Sequence, residues 1–321
     1  MSKPFISFIV PVFNAVSYLG ECLDSLRMDG AEIIVIDDGS TDGSTQVAAE
    51  FVAANPRAIL LQGPRKGAGA ARNCGLDIAQ GEYVVFVDAD DYIDPRLFQR
   101  IKERAGFDMI YFGYKEVTPT GVNHCPISPE GEFSSDIDIA LTRLFRSPER
   151  FFGFTWNKAF KRQIIEEYGI RFNPDLIIKE DEEFCLQFAN RIESLYIIGA
   201  ELYNYRILPD SLSHRKLRDR KLTLLAETIE QTARACPWPE LKREVIIAAN
   251  EYHLDGFRDS GGASFDSWQA YVRRNRALLS GLLSARLFAL PGAALRRLAL
   301  RLVYTNPAVG RIKALIKKLG V

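Results

Sequence analysis

Cysteine is scarce in this sequence, and the cysteines lie far apart, each 51–60 positions after the one before. The chain of 321 residues has 5 cysteines, an odd number, and no two of them form a C-x-x-C pair. Disulfide frameworks need an even set of cysteines and structural zinc sites need paired ligands, so both classes are excluded. The pattern predicts a protein of a reducing cytoplasm. The cysteines are Cys22, Cys74, Cys125, Cys185 and Cys236.

Long hydrophobic runs are also missing. No uninterrupted apolar run reaches the roughly 18 residues that a membrane-spanning helix needs. The apolar run 5–13 contains Pro11 and no small-residue cleavage site follows it, so we expect no signal peptide. With 47% hydrophobic and 26% charged residues, the sequence has the composition of a folded protein. We expect a cytoplasmic protein, either soluble or peripheral on the inner face of the cell membrane.

The chain lacks net charge, but the charge is unevenly distributed. Its 41 Lys and Arg balance 41 Asp and Glu, which argues against a nucleic-acid partner. Residues 271–321, however, contain eleven Lys and Arg and no acidic residue, so residues 1–270 carry a formal charge of −11. The sequence therefore predicts an acidic body with a basic tail.

Strand and helix patterns alternate through the first 115 residues. Apolar runs at 5–12, 32–36, 58–61, 83–87 and 108–114 are separated by helical patterns at 17–27, 44–54, 68–79 and 95–104. Repeated βαβ units predict an α/β fold with a mostly parallel sheet that is covered on both faces.

A looser segment and a helical region follow. Four prolines break the pattern in 116–152, which we interpret as an insertion over one edge of the sheet. Two short strands at 195–198 and 201–206 complete a domain of residues 1–214. Residues 215–321 show helical periodicity only, which predicts an all-helical C-terminal region.

Polar side chains follow three of the predicted strands. They occur in the segments Pro11–Asn14, 37–44 and 88–91. Ligands of parallel α/β sheets bind beyond the carboxyl ends of the strands, where these segments meet. The carboxylates of 88–91 favour Mg²⁺ or Mn²⁺, which bridge protein carboxylates to diphosphates. Ordinary turn and helix-capping chemistry is the alternative for 37–44.

Four motifs in this order resemble the nucleotide-sugar-dependent family 2 glycosyltransferases. They are PVFNAVSYLGECLDSL, VIDDGSTDGS, GAARNCGLDIAQGEYVVFVDADD and KEDEEF, within a match from about Ser7 to Ser213. The resemblance implies a single nucleotide-binding, Rossmann-like catalytic domain of the A-type glycosyltransferase fold, with a mostly parallel mixed sheet.

The resemblance also implies roles for individual residues. A UDP-sugar would be held by the donor residues, with Asp38 accepting from the imide N–H of uracil. Asp90, the last residue of the D-x-D motif, would bind the metal. Asp181 would be the catalytic base, with Glu182 as the substitute if the register is shifted by one residue. The donor residues are Pro11, Phe13, Asn14, Asp38, Arg72, Asp88 and Ala89.

Weaker signals point to the metal, the diphosphate and the acceptor. His214 is a further candidate ligand of metal or phosphate, and Arg206 and Ser213 belong to a loop that resembles the family's diphosphate loop. A solvated loop histidine is the alternative for His214. Trp156 and Glu180 resemble acceptor-side residues, with a core aromatic and an acidic first helical turn as their respective alternatives.

The basic tail, residues 271–321, has an amphipathic pattern. Ile312, Leu315, Ile316 and Leu319 recur at helical spacing, with basic residues largely beside them. This pattern favours binding to an anionic membrane surface. Packing on the acidic body or on a second subunit of a homo-oligomer is the alternative.

These observations predict an inverting transferase. It would move a sugar from a UDP-sugar, with Mn²⁺ or Mg²⁺, to a hydroxyl of a glycan or lipid-linked glycan in cell-surface polysaccharide synthesis. A membrane-associated scaffold with weak catalysis is one alternative. A sugar nucleotidyltransferase is another, but the segment Pro11–Asn14 lacks the glycine-rich basic loop that holds a triphosphate.

Overall fold

The computed structural model describes residues 3–149, 151–176, 179–208, 220–259, 265–275 and 277–279. Contacts divide the chain into two units, residues 1–214 and 215–321. We call them the N-terminal unit and the C-terminal unit.

Four parallel strands form one half of the sheet in the N-terminal unit, in the order β3-β2-β1-β4. β1, β2 and β4 are largely apolar and are buried along almost their whole length, as strands covered on both faces require, whereas the edge strand β3 is partly exposed. The predicted βαβ repeat is therefore confirmed. The elements are β1 (Ile6–Val12), α1 (Val16–Ser25), β2 (Ala31–Asp37), α2 (Ser44–Ala53), β3 (Ala58–Gln62), α3 (Ala68–Leu76) and β4 (Tyr83–Phe86).

Mixed pairing forms the other half of the sheet. β9 lies antiparallel between β4 and β6, and β10 runs parallel to β6. The two strands predicted at 195–198 and 201–206 are one strand, β10, with register shifts between Ile198 and Tyr203. The insertion 116–152 adds two strands to the sheet: β7 pairs antiparallel with β6, and β8 pairs antiparallel with β10. The strands are β5 (Tyr92–Ile93), β6 (Met109–Thr118), β7 (Gly121–Cys125), β8 (Gly131–Phe133), β9 (Lys158–Lys161) and β10 (Leu195–Arg206).

An aromatic cluster joins the sheet to the later helices of this unit. Phe86 of β4 packs edge-to-face against Phe160, Phe172 and Phe184, with ring centroids 5.2–5.8 Å apart. Such pairs stabilise a fixed geometry beyond their burial. The cluster therefore places α7 beside the carboxyl end of β4. The helices are α4 (Leu97–Lys102), α5 (Ile137–Arg146), α6 (Arg162–Glu167) and α7 (Glu180–Ala189).

The described part of the C-terminal unit is helical, as the sequence predicts. It contains α8 (Arg220–Arg234), α9 (Pro239–Asp259) and α10 (Phe265–Arg274). The Tyr271 hydroxyl donates to the Ile246 carbonyl, and the Trp268 indole N–H donates to Asn250 at 3.3 Å, so α10 is tied to α9. None of the helices in the described ranges is both long enough and apolar enough to cross a membrane.

The membrane-binding prediction concerns residues that are mostly not described. Arg273 and Arg274 belong to α10, but residues 280–321 lie outside the described residues. The amphipathic tail therefore stays a prediction from sequence.

Candidate functional site

The turn after β1 is locked to the loop after β2. The Asn14 amide donates to the Ser40 hydroxyl at 3.0 Å, and the Thr41 amide donates to the Asn14 side-chain oxygen at 2.8 Å. Asn14 adopts a left-handed conformation with φ of 51°, which asparagine tolerates better than most residues. Pro11 lies on β1 before this turn, and the Phe13 ring beside it is 62% exposed. An apolar ring is thereby presented at the carboxyl edge of the sheet.

Two aspartates of 37–44 have structural partners. Asp37 accepts from the Thr45 hydroxyl and from the Ser40 amide at 2.9 Å. Asp42 accepts from the Val16 amide at 3.0 Å and so caps the start of α1 from a neighbouring loop. Asp37 and Asp42 therefore stabilise a turn and a helix start, which is the alternative to ligand binding given above for 37–44.

Asp38 shapes the loop that precedes α3. Its carboxylate oxygens accept from the backbone amides of Arg65 at 2.6 Å and Gly67 at 2.8 Å. A Cβ on Gly63 would lie 2.7 Å from an Asp38 oxygen, so this approach requires glycine there. A carboxylate has about four acceptor positions, which leaves capacity for a ligand. The contact between Asp38 and uracil stays a prediction.

The aspartates after β4 have separate environments. Asp91 is buried and accepts from the Tyr203 hydroxyl at 2.8 Å and the Arg206 amide at 2.7 Å, which fixes the 88–91 loop to β10. Asp90 is only partly buried. Burial, together with the charge of Asp88, raises the pKa of Asp90 to about 6. Ala89, between Asp88 and Asp90, is buried, so it would contact a donor through its backbone.

Arg72 on α3 brings distant carboxylates together. Its Nη2 lies 2.7 Å from Asp88, and its Nη1 lies 2.9 Å from Asp181 and 3.6 Å from Glu180. Only 5% of the Arg72 side chain is exposed. We expected this arginine to face the nucleotide, whereas its two terminal nitrogens bind carboxylates. Asp88 and Asp181, at the end of β4 and the start of α7, thus share one guanidinium.

Asp181 has the properties of a carboxylate placed for proton transfer. Its side chain is 22% exposed. Burial raises the pKa of Asp181 and Arg72 opposes this, while Glu180 and Asp88 raise it further, so that the pKa stands at about 7. General bases function best with a pKa near the working pH. Glu182, the alternative base, instead pairs with Lys179.

Arg206, the predicted diphosphate contact, lies beside the 88–91 loop. Arg206 donates to the Asp90 carbonyl at 2.6 Å and pairs with Glu21, while its guanidinium lies 4.6 Å from the centre of the Tyr92 ring. The other predicted residues of this loop, Ser213 and His214, lie outside the described residues.

Trp156 is a core residue and is not an exposed platform. It is 2% exposed, and its ring lies nearly parallel to those of Phe154, Tyr203 and Tyr205, with centroids 4.5–5.3 Å apart. A sugar cannot stack on a ring with no accessible surface. In this structure Trp156 therefore corresponds to the core aromatic that the sequence left as an alternative.

Lys158 is a buried lysine that the sequence reasoning missed. Its ammonium donates to the carbonyls of Phe151 and Phe154 and to the Asn157 side chain. Burial lowers the pKa of Lys158 to about 8. It holds the segment 151–157 against β9, near α7. Its position two residues after Trp156 is the signal in the sequence that points to it.

Comparison with known proteins identifies the family. The family model described as "Glycosyl transferase family 2" matches residues 7–169, about half of the chain. This chain belongs to glycosyl transferase family 2. One relative, the putative glycosyltransferase EpsH of Bacillus subtilis (strain 168), is 32% identical over 232 residues, which cover 67% of this chain and 64% of EpsH. The match therefore spans less than two thirds of that relative.

Solved structures show the same glycosyltransferase A-type fold. Staphylococcus aureus TarS 1-349 in complex with UDP-GlcNAc has a TM-score of 0.72 at 20% identity, covering 94% of this chain and 90% of that one. The mannosyltransferase PcManGT from Pyrobaculum calidifontis, in complex with GDP-Man and Mn²⁺, has a TM-score of 0.57 at 21% identity, covering 98% and 87%. These likenesses concern the fold.

A divalent metal in this family 2 chain would depend on few protein ligands. Among the described residues, no three His, Cys, Asp or Glu side chains group together as a metal cage. Asp90 is a single partly buried carboxylate beside Asp88, and both precede the buried Asp91. Mg²⁺ typically binds through one or two carboxylates plus substrate phosphates, so this donor set fits a metal that binds together with a diphosphate.

Proposed function

We propose that this protein is an inverting glycosyltransferase that uses a UDP-sugar and a divalent metal. The acceptor is a hydroxyl of a glycan or lipid-linked glycan in cell-surface polysaccharide synthesis. One observation carries the proposal: in a family 2 chain, Asp181 is held 2.9 Å from an arginine that also binds Asp88 at the end of β4. A candidate base and a donor-side carboxylate therefore lie at one edge of the sheet.

The donor is held by the turn after β1 and by the loops after β2 and β4. The exposed Phe13 ring offers an apolar surface to the base, and Asp38 retains acceptor capacity for its imide N–H. Asp88 contacts the ribose or the sugar. Asp90 would hold Mn²⁺ or Mg²⁺, which would supply positive charge to the departing diphosphate.

Asp181 removes the proton of the acceptor hydroxyl. The acceptor oxygen forms a bond to the anomeric carbon as the bond from that carbon to the UDP oxygen breaks, and UDP leaves with the electron pair. The proton stays on Asp181 until solvent removes it. A single displacement converts an α-linked donor into a β-linked product.

The acceptor side and the tail extend this proposal. Glu180 lies beside Asp181 at the start of α7, and we assign it to the acceptor side.

Eleven basic residues in 271–321 favour an anionic membrane surface, which would place the active site beside lipid-linked acceptors. The full chain should float with anionic liposomes, and replacing Lys317 and Lys318 with Glu should weaken flotation. Unchanged flotation would instead favour packing of the basic tail on the acidic body of this chain or on a second copy of the protein.

The activity test is metal-dependent UDP release. Incubation with a panel of UDP-sugars and Mn²⁺ should yield UDP with at least one donor, and Asp90→Ala should abolish the release. Asp77→Ala is the matched control, because Asp77 is an exposed carboxylate paired with Arg171, and it should retain activity. NMR of a glycosylated acceptor should show the β anomer.

Two outcomes would replace the proposal. A folded wild-type protein that releases no UDP from any donor would favour the scaffold. Pyrophosphate release from a nucleoside triphosphate and a sugar 1-phosphate would favour the nucleotidyltransferase.

A further inference from the structure

Arg72 directly contacts both the candidate base and a donor-side carboxylate. Its two terminal nitrogens are engaged by Asp88 at 2.7 Å and Asp181 at 2.9 Å, and the guanidinium lies 5.4 Å from the centre of the Phe172 ring. A guanidinium fork can hold two carboxylates in a fixed relative geometry, whereas a lysine is a single point charge.

We propose that Arg72 is a positioning residue that holds Asp181 at a fixed place relative to the donor-side carboxylate Asp88. This inference rests on the proposed transferase activity. Asp88 and Asp181 are 93 positions apart in the sequence, so a fixed distance between their carboxylates needs a direct contact that joins them. Arg72 supplies this link from a third element, α3.

Close packing of α3 against α7 makes the link rigid. A Cβ on Gly69 of α3 would lie 3.3 Å from Glu180, at the start of α7, and 3.3 Å from Phe172, in the segment before α7, so glycine allows this close approach. Asn73, one position after Arg72, exchanges two hydrogen bonds of 2.9 Å with the Phe172 backbone. The contacts at Gly69 and Asn73 therefore fix α3 on either side of Arg72.

Two anions and two cations surround Asp181. Glu180 from α7 and Asp88 from the end of β4 oppose its ionisation, while Arg72 from α3 and Lys158 from β9 favour it, and the Cys185 thiol lies on the same helix. Arg72 is the one of these cations that directly bonds to Asp181 in the described part of the chain. It therefore keeps Asp181 ionised, and able to accept a proton, at a pH where carboxylates alone would hold the proton.

The test separates positioning from nucleotide binding. In Arg72→Lys and Arg72→Ala, kcat should fall at least about 100-fold because a base displaced by about 1 Å loses that much. The dissociation constant for the UDP-sugar should stay within about threefold of wild type. The pH of half-maximal kcat should rise by about one unit in Arg72→Ala because a favourable charge is lost. Added guanidinium ion should partly restore kcat in Arg72→Ala.

Other outcomes would overturn the inference. Weaker UDP-sugar binding with little change in kcat would make Arg72 a nucleotide contact. A loss of kcat with an unchanged pH profile and no rescue would make it a structural residue. Arg171→Ala is the matched control, because Arg171 pairs with an exposed aspartate nearby. If Arg72→Ala does not fold, Arg72→Lys carries the test, and a silent wild type would instead refute the transferase activity.

Discussion

The two units of this protein each contain a buried ionic cluster, and the two clusters have opposite compositions. In the N-terminal unit, one guanidinium, Arg72, faces three carboxylates. In the C-terminal unit, one carboxylate, Glu230, accepts from Arg234, Arg274 and Asn275. We call them the Arg72 cluster and the Glu230 cluster.

The difference shows how a buried charge can serve either reactivity or stability. Burial alone would raise the pKa of Glu230, but its hydrogen bonds from Arg274, Asn275 and Arg234 lower the pKa to about 2. Burial also raises the pKa of Asp181, and there Arg72 and Lys158 do not offset burial and the charges of Glu180 and Asp88, so the pKa stands at about 7. Glu230 therefore stays ionised at neutral pH, whereas Asp181 can exchange a proton near neutral pH, as carboxylates with perturbed pKa values at functional sites do.

The largest effect should follow from removing the base. Asp181→Asn should lower kcat by about 10²–10⁴-fold, the range for loss of general base catalysis, and leave UDP-sugar binding intact. Steady-state UDP release and calorimetry measure the two quantities. Glu182→Gln is the matched control and should keep most of the activity. The reverse result, with Glu182→Gln inactive, would move the base by one residue.

Breaking the Glu230 cluster should affect stability and leave chemistry unchanged. Glu230→Gln should lower the free energy of unfolding by about 1–2 kcal/mol, the scale of lost charged hydrogen bonds discounted for the half-exposed arginines. Urea unfolding measures this loss, and kcat below the transition should equal that of wild type. A large loss of kcat in a folded variant would contradict the separation of roles between the clusters.

The pH dependence should distinguish the two clusters. Because Asp181 must be ionised to accept a proton, kcat should rise about tenfold per pH unit up to its pKa near 7 and then level off. The folded pKa of Asp181 exceeds its unfolded value, so its contribution to stability is present below the unfolded pKa and is lost as pH rises towards 7. Asp181→Asn should remove that slope from the stability profile. A rate independent of pH between 5 and 8 would exclude Asp181 as the base.

Glu230 should behave in the opposite way. Its folded pKa of about 2 lies below the unfolded value of 4.5, so the stability that it contributes is present above that value and is lost as pH falls towards 2. Acid unfolding of wild type and Glu230→Gln should therefore converge at low pH. If the free energies of unfolding of the two proteins instead differ by a constant amount at all pH values, the cluster does not hold Glu230 ionised.

The smallest effect should come from a buried histidine near the Glu230 cluster. Neither ring nitrogen of His253 has a hydrogen-bond partner among the described residues, and burial lowers its pKa to about 4. The stability from neutral His253 is present above its unfolded pKa of 6.5 and is lost as pH falls towards 4. His253→Leu should flatten this part of the profile and change stability at pH 7 by about 1 kcal/mol or less.

Local sequence patterns predicted much of the fold. The apolar runs of β1, β2 and β4 gave correct strands because strands buried on both faces need continuous hydrophobic residues. The short strand β9 was missed because four residues of mixed polarity carry no periodic signal. The two predicted strands of β10 are one strand because pairing with β6 continues through a register shift.

At the candidate site, the residue types could be recognised but their partners could not. Asp90 and Asp91 are adjacent and chemically identical, yet only Asp91 is tied to Tyr203 and fully buried. Trp156 matched an acceptor-side pattern, yet its ring is enclosed by other aromatic residues. Burial and partner choice depend on which elements pack together, which a local pattern does not encode.

The sequence by itself determined the family and the order of the βαβ units, because motifs and hydrophobic periodicity are local properties of the chain. Only the tertiary structure placed Arg72 between Asp88 and Asp181, which lies 109 positions beyond that arginine. It also decided that Glu230 is fully paired and Asp181 is not. The physical reason is that solvation and charge pairing arise from contacts between distant segments, and these contacts set the pKa and hence the chemistry.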